Sequence, residues 1–234
     1  MAVDRDKLKQ EAALRAVEFV EDGMTVGLGT GSTAYFVVEG LGARVAKGLK
    51  IVGIPTSERT ATQARSLGIP LATFAEHPSI DLTIDGADEV ARKSLDLIKG
   101  LGGALLREKI VAAASRRLVI VVDQEKLVDT LGDHTPVPVE VVQFGWQAAA
   151  VALARLGAEP VLRHAHEDHP FITDGGNYTL DCRFPRITDA KELERQIISI
   201  VGVVDCGDRE HGGVLDGGAV TGANSDAVDL NGSR

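Results

Sequence analysis

Asp85-Gly86-Ala87-Asp88-Glu89 follows directly on a short run of residues, 80–84, that is rich in Ile, Leu and Thr. Such a run predicts a buried β-strand that ends at the acidic segment. Asp85 and Asp88 are then expected in a loop at the carboxyl end of the strand, which is the edge where open α/β sheets bind their ligands. The segment therefore predicts both a parallel sheet and the position of a polar site on it.

A glycine-rich segment, Lys99-Gly100-Leu101-Gly102-Gly103, comes next and leads into a predicted helix, residues 104–115, with Glu108 in its early part. Side chains tilt toward the amino terminus of a helix, so the Glu108 carboxylate is expected to lean back toward the glycines. Two acids, a lysine, exposed backbone N–H groups and a third acid are thus expected in one crevice.

The segment Gly29-Thr30-Gly31-Ser32-Thr33 lies between a predicted strand, residues 25–28, and a predicted helix, residues 34–41. Backbone N–H groups and the positive end of the helix dipole at such a turn can hold an anion. The glycine spacing matches the dinucleotide-binding fingerprint, but the next predicted strand ends without the acid that would bind a ribose. The segment is also not a P-loop, because no Lys-Ser/Thr follows the glycines. The segment favours a phosphate or sugar-hydroxyl site over a nucleotide cofactor, and a plain tight turn is the alternative.

Each motif has a simpler interpretation when it is taken alone. The acidic segment also fits a solvated loop or a divalent-metal site, although it lacks the alternating acids of a calcium loop. Lys99 fits a surface lysine, and Glu108, between Arg107 and Lys109, fits a salt-bridged helix face. Their expected convergence at one sheet edge favours a functional site.

Strands and helices alternate up to about residue 130, including a strand at residues 71–74, which predicts a Rossmann-like, mostly parallel sheet with helices on both faces. The order then becomes strand-helix-strand-strand-helix-strand, which predicts a smaller ferredoxin-like α+β domain. We expect domains at 1–130 and 131–206. Residues 207–234 show little periodicity, and the sequence leaves open whether they return to the first domain.

Composition excludes several classes of protein. The 234 residues carry a net charge of −9, which argues against a nucleic-acid partner and leaves a small anionic substrate possible. No apolar run could span a bilayer, and the charged first ten residues do not resemble a signal peptide, so we expect no membrane partner and a cytoplasmic location. The two cysteines, Cys182 and Cys206, form no disulfide framework and are expected in the core.

A histidine cluster, His164-x-His166-x-x-His169, is interpreted as an exposed loop rather than a metal site, because nothing around it imposes a coordination geometry. Phe144 and Trp146 are expected to pack inside the second domain.

Together these segments resemble the ribose-5-phosphate isomerase A family, over about residues 5 to 205. The motifs that carry the resemblance are Gly29-Thr30-Gly31-Ser32-Thr33-Ala34, Asp85-Gly86-Ala87-Asp88-Glu89, Lys99-Gly100-Leu101-Gly102-Gly103-Ala104, Arg107-Glu108-Lys109-Ile110, Pro136-Val137-Pro138-Val139-Glu140 and Asp174-Gly175-Gly176-Asn177. The resemblance implies an α/β domain beside a ferredoxin-like domain, activity without a metal or other cofactor, and a homodimer or homotetramer.

By this resemblance, Glu108 matches the family's catalytic base, Asp85 and Asp88 match the acids that handle ring opening and the sugar hydroxyls, and Lys99 matches the lysine of the glycine loop. Leu101 stands where the family usually has Gly or Arg. The implied substrate-binding residues are Thr30, Gly31, Ser32, Thr33, Asp85, Gly86, Ala87, Asp88, Lys99, Gly100, Leu101, Gly102 and Lys126.

The implied reaction is the aldose–ketose isomerisation of D-ribose 5-phosphate and D-ribulose 5-phosphate through an enediolate, a step of the non-oxidative pentose phosphate pathway. A carboxylate base works best with a pKa closer to neutrality, so we expect Glu108 to be partly desolvated. The alternatives are a related amino-sugar-phosphate deaminase or isomerase and a regulatory module that binds a sugar phosphate without turnover.

Overall fold

The structure is a computed structural model that describes residues 5–166, 169–209, 216–221 and 228–229. Its contacts divide the chain into two compact units. Unit 1 comprises Met1–Gly86, Glu108–Glu125 and Val214–Arg234, and unit 2 comprises Ala87–Arg107 and Lys126–Gly213. This division differs from the predicted boundary near residue 130.

The described residues form six helices and sixteen strands. The helices are α1 (Arg5–Val17), α2 (Ser32–Val45), α3 (Glu58–Ser66), α4 (Leu105–Ala113), α5 (Trp146–Arg155) and α6 (Ala190–Ile198). The strands are β1 (Thr25–Leu28), β2 (Val52–Pro55), β3 (Leu82–Asp85), β4 (Glu89–Ala91), β5 (Leu97–Ile98), β6 (Arg117–Val122), β7 (Leu127–Val128), β8 (Val137–Val141), β9 (Glu159–Leu162), β10 (His164–His166), β11 (His169–Pro170), β12 (Tyr178–Arg183), β13 (Val203–Cys206), β14 (Asp208–Arg209), β15 (Asp216–Thr221) and β16 (Val228–Asp229).

Unit 1 is built on a six-stranded sheet in the order β16-β15-β6-β3-β1-β2, parallel except for β16 at the edge. Leu28 at the end of β1 pairs with Pro55 and with Ile84, so the loops after β1, β2 and β3 leave the same edge of the sheet. The chain turns from β1 to β2 on one side and returns to β3 on the other. The gap between β1 and β3 is therefore a topological switch point, where such sheets bind ligands.

Both faces of this sheet are covered. One face packs against α1 and α2 through a cluster that includes Val17, Val38, Val26 and Ile84. The other face packs against α4, where a Cβ on Gly27 would lie 2.7 Å from Val111, too close for any side chain. The predicted Rossmann-like sheet with helices on both faces is confirmed.

Unit 2 contains an antiparallel sheet in the order β13-β8-β12-β9, with α5 between β8 and β9 and α6 between β12 and β13. This is the predicted ferredoxin-like arrangement. Cys182 and Cys206 are buried on β12 and β13, and Trp146 packs against the same core, as expected. The expectation for Phe144 is wrong, because its side chain is 95% exposed.

A second small sheet in unit 2, in the order β14-β5-β4-β7, explains the difference in domain division. Strand β4 pairs with β7 and β5 pairs with β14, and both partners come after residue 126. The segment Ala87–Arg107 therefore belongs with unit 2 by its backbone hydrogen bonds, although periodicity had placed it with the first domain.

Three local expectations need correction or completion. The predicted strand at residues 71–74 is reduced to one bridge from Leu71 to Gly53, because Glu76 accepts a 2.9 Å bond from the Thr73 N–H and closes a turn. The histidine segment forms the antiparallel pair β10–β11, and β10 is exposed as the loop interpretation expected. Within residues 207–234, β15 returns to unit 1 and pairs with β6. No described helix is long and apolar enough to cross a membrane.

Candidate active site

The turn after β1 is packed directly against Asp85. A Cβ on Gly29 would lie 2.2 Å from Asp85 Oδ1 and 2.6 Å from the Asp85 Cα, so only glycine fits there. Asp85 Oδ1 accepts hydrogen bonds from the backbone N–H groups of Thr30 (3.1 Å) and Gly86 (2.8 Å). The Asp85 side chain is thus fixed at the end of β3, where the sequence predicted it, with 2% of the residue exposed.

A buried network of hydroxyl groups holds this turn from the other side. Thr30 Oγ1 lies 2.7 Å from Thr56 Oγ1, 2.8 Å from Ser57 Oγ and 3.2 Å from Thr60 Oγ1. Thr60 Oγ1 in turn donates to the Gly29 carbonyl at 3.0 Å. The Thr30 hydroxyl, predicted to bind substrate, is therefore engaged inside the protein. The sequence analysis did not predict that Thr56, Ser57 and Thr60 support this turn. The only sequence signal for them is the Ser-x-x-Thr capping pattern at the start of α3.

Helix α2 begins directly after the turn, so its first backbone N–H groups have no partner within the helix. Gly31 caps it with a φ of +128°, a conformation that glycine adopts without strain. Ser32 is exposed at the first position and Thr33 is buried. A cavity of about 400 Å³ adjoins this helix end, and its lining includes Gly31, Ser32, Tyr35 and Arg59. The helix end can hold an anionic group.

Glu108 lies in the first turn of α4 and is 3% exposed, so its carboxylate is removed from bulk water, as expected. Lys126 ends a short 3₁₀ turn, Gln124–Lys126, that follows β6, and its side chain is half-buried. Both positions follow from the strand and helix order that the sequence predicted.

In unit 2, Asp88 is coupled to the glycine loop. Its N–H donates to the Ile98 carbonyl at 2.7 Å, and its Oδ2 accepts from the Leu101 N–H at 2.9 Å. The neighbouring Gly86 and Ala87 are half-buried, and the Leu101 side chain is 37% exposed. Leu101 therefore contacts Asp88 through its backbone, which any residue at this position could provide.

The rest of the glycine loop is shaped by close packing. Lys99 is 7% exposed, and its N–H donates to the Gly207 carbonyl at 2.8 Å. Gly100 and Gly103 have φ of +100° and +81°. A Cβ on Gly103 would lie 2.4 Å from Phe171. Glycine at these two positions lets the backbone adopt this path.

Glu89 was quoted in the acidic motif but given no role by sequence reasoning. It is 1% exposed, and its carboxylate accepts backbone N–H bonds from Gly132 (2.6 Å), His134 (2.7 Å) and Thr135 (2.7 Å). It therefore anchors the segment that precedes β8 to the start of β4, next to Asp88.

The predicted site residues are shared between the two units. Thr30 to Thr33, Asp85, Gly86 and Glu108 belong to unit 1, while Ala87, Asp88, Lys99 to Gly102 and Lys126 belong to unit 2. Asp85, Lys99 and Glu108 are all buried. Ionisable side chains are seldom buried without a specific role, so Asp85 and Glu108 in unit 1, and Lys99 in unit 2, are candidate functional residues.

Comparison with known proteins gives a consistent result. The family model for ribose 5-phosphate isomerase A (phosphoriboisomerase A) matches residues 52–208. The ribose-5-phosphate isomerase A of Gloeobacter violaceus is 65% identical over 205 residues, which cover 88% of this chain and 89% of that protein. The enzyme of the same name from Roseiflexus castenholzii is 53% identical over 204 residues, covering 86% and 87%.

Solved structures agree with these sequence matches. Ribose 5-phosphate isomerase A from Methanocaldococcus jannaschii superposes with a TM-score of 0.89 at 40% identity, over 96% of this chain and 98% of that one. A D-ribose-5-phosphate isomerase in complex with phospho-erythronic acid gives a TM-score of 0.88 at 38% identity, over 94% and 96%. The sheet topology, the motifs and these relatives together show that the chain belongs to the ribose 5-phosphate isomerase A family.

Proposed function

We propose that this protein interconverts D-ribose 5-phosphate and D-ribulose 5-phosphate in the non-oxidative pentose phosphate pathway. The observation that carries the proposal is the burial of Asp85, Lys99 and Glu108 within family motifs that run in the family's order. The relatives named above are all isomerases, which favours this activity over an amino-sugar-phosphate deaminase or a binding module without turnover.

The first step is opening of the sugar ring. Asp85 moves a proton from the anomeric hydroxyl toward the ring oxygen, and the C1–O bond of the ring breaks to give the aldehyde. The two backbone N–H bonds to Asp85 Oδ1 support this role, because they hold the carboxylate in one orientation. Asp88 holds a sugar hydroxyl near the reacting carbons.

The second step is proton transfer between carbons. Glu108 removes the proton from C2 of the open aldose, and the electron pair moves onto the C1 carbonyl oxygen to give an enediolate. Glu108 then returns the proton to C1, and the proton of the C2 hydroxyl passes to the C1 oxygen, so that C2 becomes the ketone and C1 becomes a primary alcohol. General acid–base catalysis of this kind contributes about 10²–10⁴-fold. Burial of Glu108 supports the role, because desolvation disfavours the charged carboxylate and strengthens it as a base.

The enediolate carries a developing negative charge that needs separate stabilisation. Lys99 and the backbone N–H groups of Gly100 and Gly102 supply it, and each preorganised donor contributes on the order of 3 kcal/mol. The phosphate group binds at the amino terminus of α2, through Ser32 and Thr33. Lys126 is assigned to substrate binding by the family resemblance alone.

The substitution Glu108→Gln tests the proposal, because it keeps the shape of the side chain and removes the base. We expect kcat to fall by about 10³-fold or more, while the Kd for phospho-erythronic acid changes by less than about threefold. Turnover is measured by a coupled assay with ribose 5-phosphate in the presence of a chelator, which also tests metal independence. Near-normal turnover of this variant would show that Glu108 is not the catalytic base. The matched control is Glu159→Gln, which makes the same substitution at an exposed position on β9.

We further propose a homodimer or homotetramer in the cytoplasm. The family resemblance implies this assembly, and Phe144 and Val201, apolar side chains of unit 2 that are 95% and 94% exposed, are the ones we expect at the contact. The two cysteines, Cys182 and Cys206, are free and buried, which fits a reducing compartment. Light scattering of the purified chain measures the assembly.

A further inference from the structure

Arg163, directly after β9 in unit 2, is fixed by a carboxylate on the neighbouring strand. Its Nε donates to Asp181 Oδ2 at 2.9 Å and its Nη2 donates to Asp181 Oδ1, so the pair is bidentate. The Arg163 side chain is 13% exposed, and its guanidinium also lies over the Phe171 ring at 5.8 Å. A planar fork held in this way has one orientation.

The remaining nitrogen of Arg163 contacts the glycine loop. Nη1 donates to the carbonyl oxygens of Gly100 and Leu101, both at 3.1 Å. Two consecutive carbonyl groups therefore point toward the same guanidinium, while Phe171 fills the space that a side chain on Gly103 would need. Arg163, Asp181 and Phe171 form what we term the loop clamp.

The loop clamp determines where the backbone N–H groups of the loop point. In a planar trans peptide the C=O and N–H bonds point in opposite directions, and the described backbone contains no cis peptide. With the Gly100 and Leu101 carbonyls facing Arg163, the N–H groups of Leu101 and Gly102 face away from it. The 2.9 Å bond from the Leu101 N–H to Asp88 Oδ2 agrees with that direction.

We propose that Arg163 is a positioning residue for the isomerisation: it holds the glycine loop so that the Leu101 N–H orients the Asp88 carboxylate and the Gly102 N–H faces the negative charge that develops on the sugar. The Leu101 N–H binds a carboxylate in the structure, and the adjacent Gly102 N–H, which points the same way, can bind a second negative charge. Without the clamp, the loop backbone can rotate about its glycines, and neither the Asp88 carboxylate nor the Gly102 N–H keeps its orientation. The inference rests on the proposed function, since it assigns these two groups to that reaction.

The variant Arg163→Gln removes the fork, and Arg183→Gln, which removes an exposed arginine on β12, is the matched control. We expect Arg163→Gln to lower kcat by about 10²-fold, as for a misplaced donor. Its KM is expected to stay within threefold of wild type, because the phosphate is bound elsewhere. Binding of phospho-erythronic acid, whose carboxylate has the shape and charge of an enediolate, is expected to weaken in step with kcat.

Arg163→Lys separates positioning from charge, because lysine keeps the positive charge and cannot form the fork. We expect it to lose nearly as much kcat as the glutamine variant. If Arg163→Gln keeps kcat within threefold of wild type, or if the lysine variant restores it fully, the positioning role is overturned.

Hydrogen exchange of the Leu101 amide provides a readout that does not depend on turnover. We expect Arg163→Gln to speed its exchange by at least tenfold relative to wild type, and unchanged exchange would overturn the clamp. If the wild-type chain fails to isomerise ribose 5-phosphate, the proposed function fails, and this exchange measurement still tests the clamp. If the glutamine variant does not fold, Asp181→Asn gives the same comparison by removing one half of the bidentate pair.

Discussion

Gly29→Ala is expected to damage both stability and catalysis, through one contact. The added methyl group would lie 2.2 Å from Asp85 Oδ1, 2.5 Å from Asp85 Cγ and 2.6 Å from Asp85 Cα. Ordinary contact begins near 3.4 Å, so the turn and the end of β3 must separate by about 1 Å. Rotation of the Asp85 side chain cannot relieve the clash, because the Cα belongs to a strand paired on both sides.

The magnitude follows from the contacts that this separation disturbs. Overpacking costs about 1–3 kcal/mol, and loss of the Thr30 N–H bond to Asp85 adds about 1.5–3 kcal/mol for a charged acceptor. Together these contributions come to about 2.5–6 kcal/mol, and a loss near 4 kcal/mol lowers the Tm of a chain of this size by about 8–16 °C. A displacement of about 1 Å at Asp85 lowers kcat by about 10²-fold.

Thermal unfolding followed by circular dichroism measures the first effect, and the coupled isomerase assay at 25 °C measures the second. Gly86→Ala is the steric control for Tm, because its methyl group would come no closer than 3.7 Å to Val121 O. A Gly29→Ala protein with an unchanged Tm and kcat would refute the close packing of the turn on Asp85.

Two further predictions concern buried groups. Glu89→Gln places an amide NH₂ against the backbone N–H donors of Gly132, His134 and Thr135 and should lower the free energy of unfolding by about 3 kcal/mol. Urea unfolding measures this loss, and Glu159→Gln, at an exposed position, is the control. Equal unfolding midpoints for the Glu89→Gln variant and the wild type would contradict the prediction. Burial, with a smaller contribution from Asp181, raises the pKa of the Cys182 thiol to about 12, so its thiolate forms only at high pH. Iodoacetamide should therefore leave Cys182 of the folded protein unmodified at pH 8–9 and should alkylate it in urea, and mass spectrometry measures both. Rapid labelling of Cys182 in the folded protein would contradict its burial and its raised pKa.

The strand ends and helix starts that carry the chemistry could be predicted from sequence because they are local. Asp85 lies at the end of one short strand and Gly29 directly after another, and residues 80–84 are mostly apolar or β-branched whatever surrounds them. The ferredoxin-like order was predicted for the same reason, since each strand and helix has its own periodicity and the turn at Asp174-Gly175-Gly176-Asn177 separates two of them.

The incorrect predictions lie where the local sequence pattern was too weak to decide between a strand and a loop, or between a buried and an exposed side chain. Residues 71–74 have the composition of a strand, but only Leu71 forms a β-bridge, and it does so with Gly53. Phe144 is apolar, yet it follows β8 on the outside of the core. Strand β15 contains two glycines and shows no periodicity, and its pairing with β6 became visible only in the folded chain.

By itself, the sequence determined the class of the fold, and it predicted the sheet edge, the acid, the base and the lysine that we propose for the site. The fold class depends on hydrophobic spacing, and the proposed roles depend on motifs of adjacent residues that resemble those of the family. Only the tertiary structure decided what holds these residues in place: the Thr30 hydroxyl network, the anchor at Glu89 and the clamp from Arg163 to Gly100. Each joins positions that are far apart in the chain, and a hydrogen bond between two distant polar residues leaves no periodic pattern in either segment.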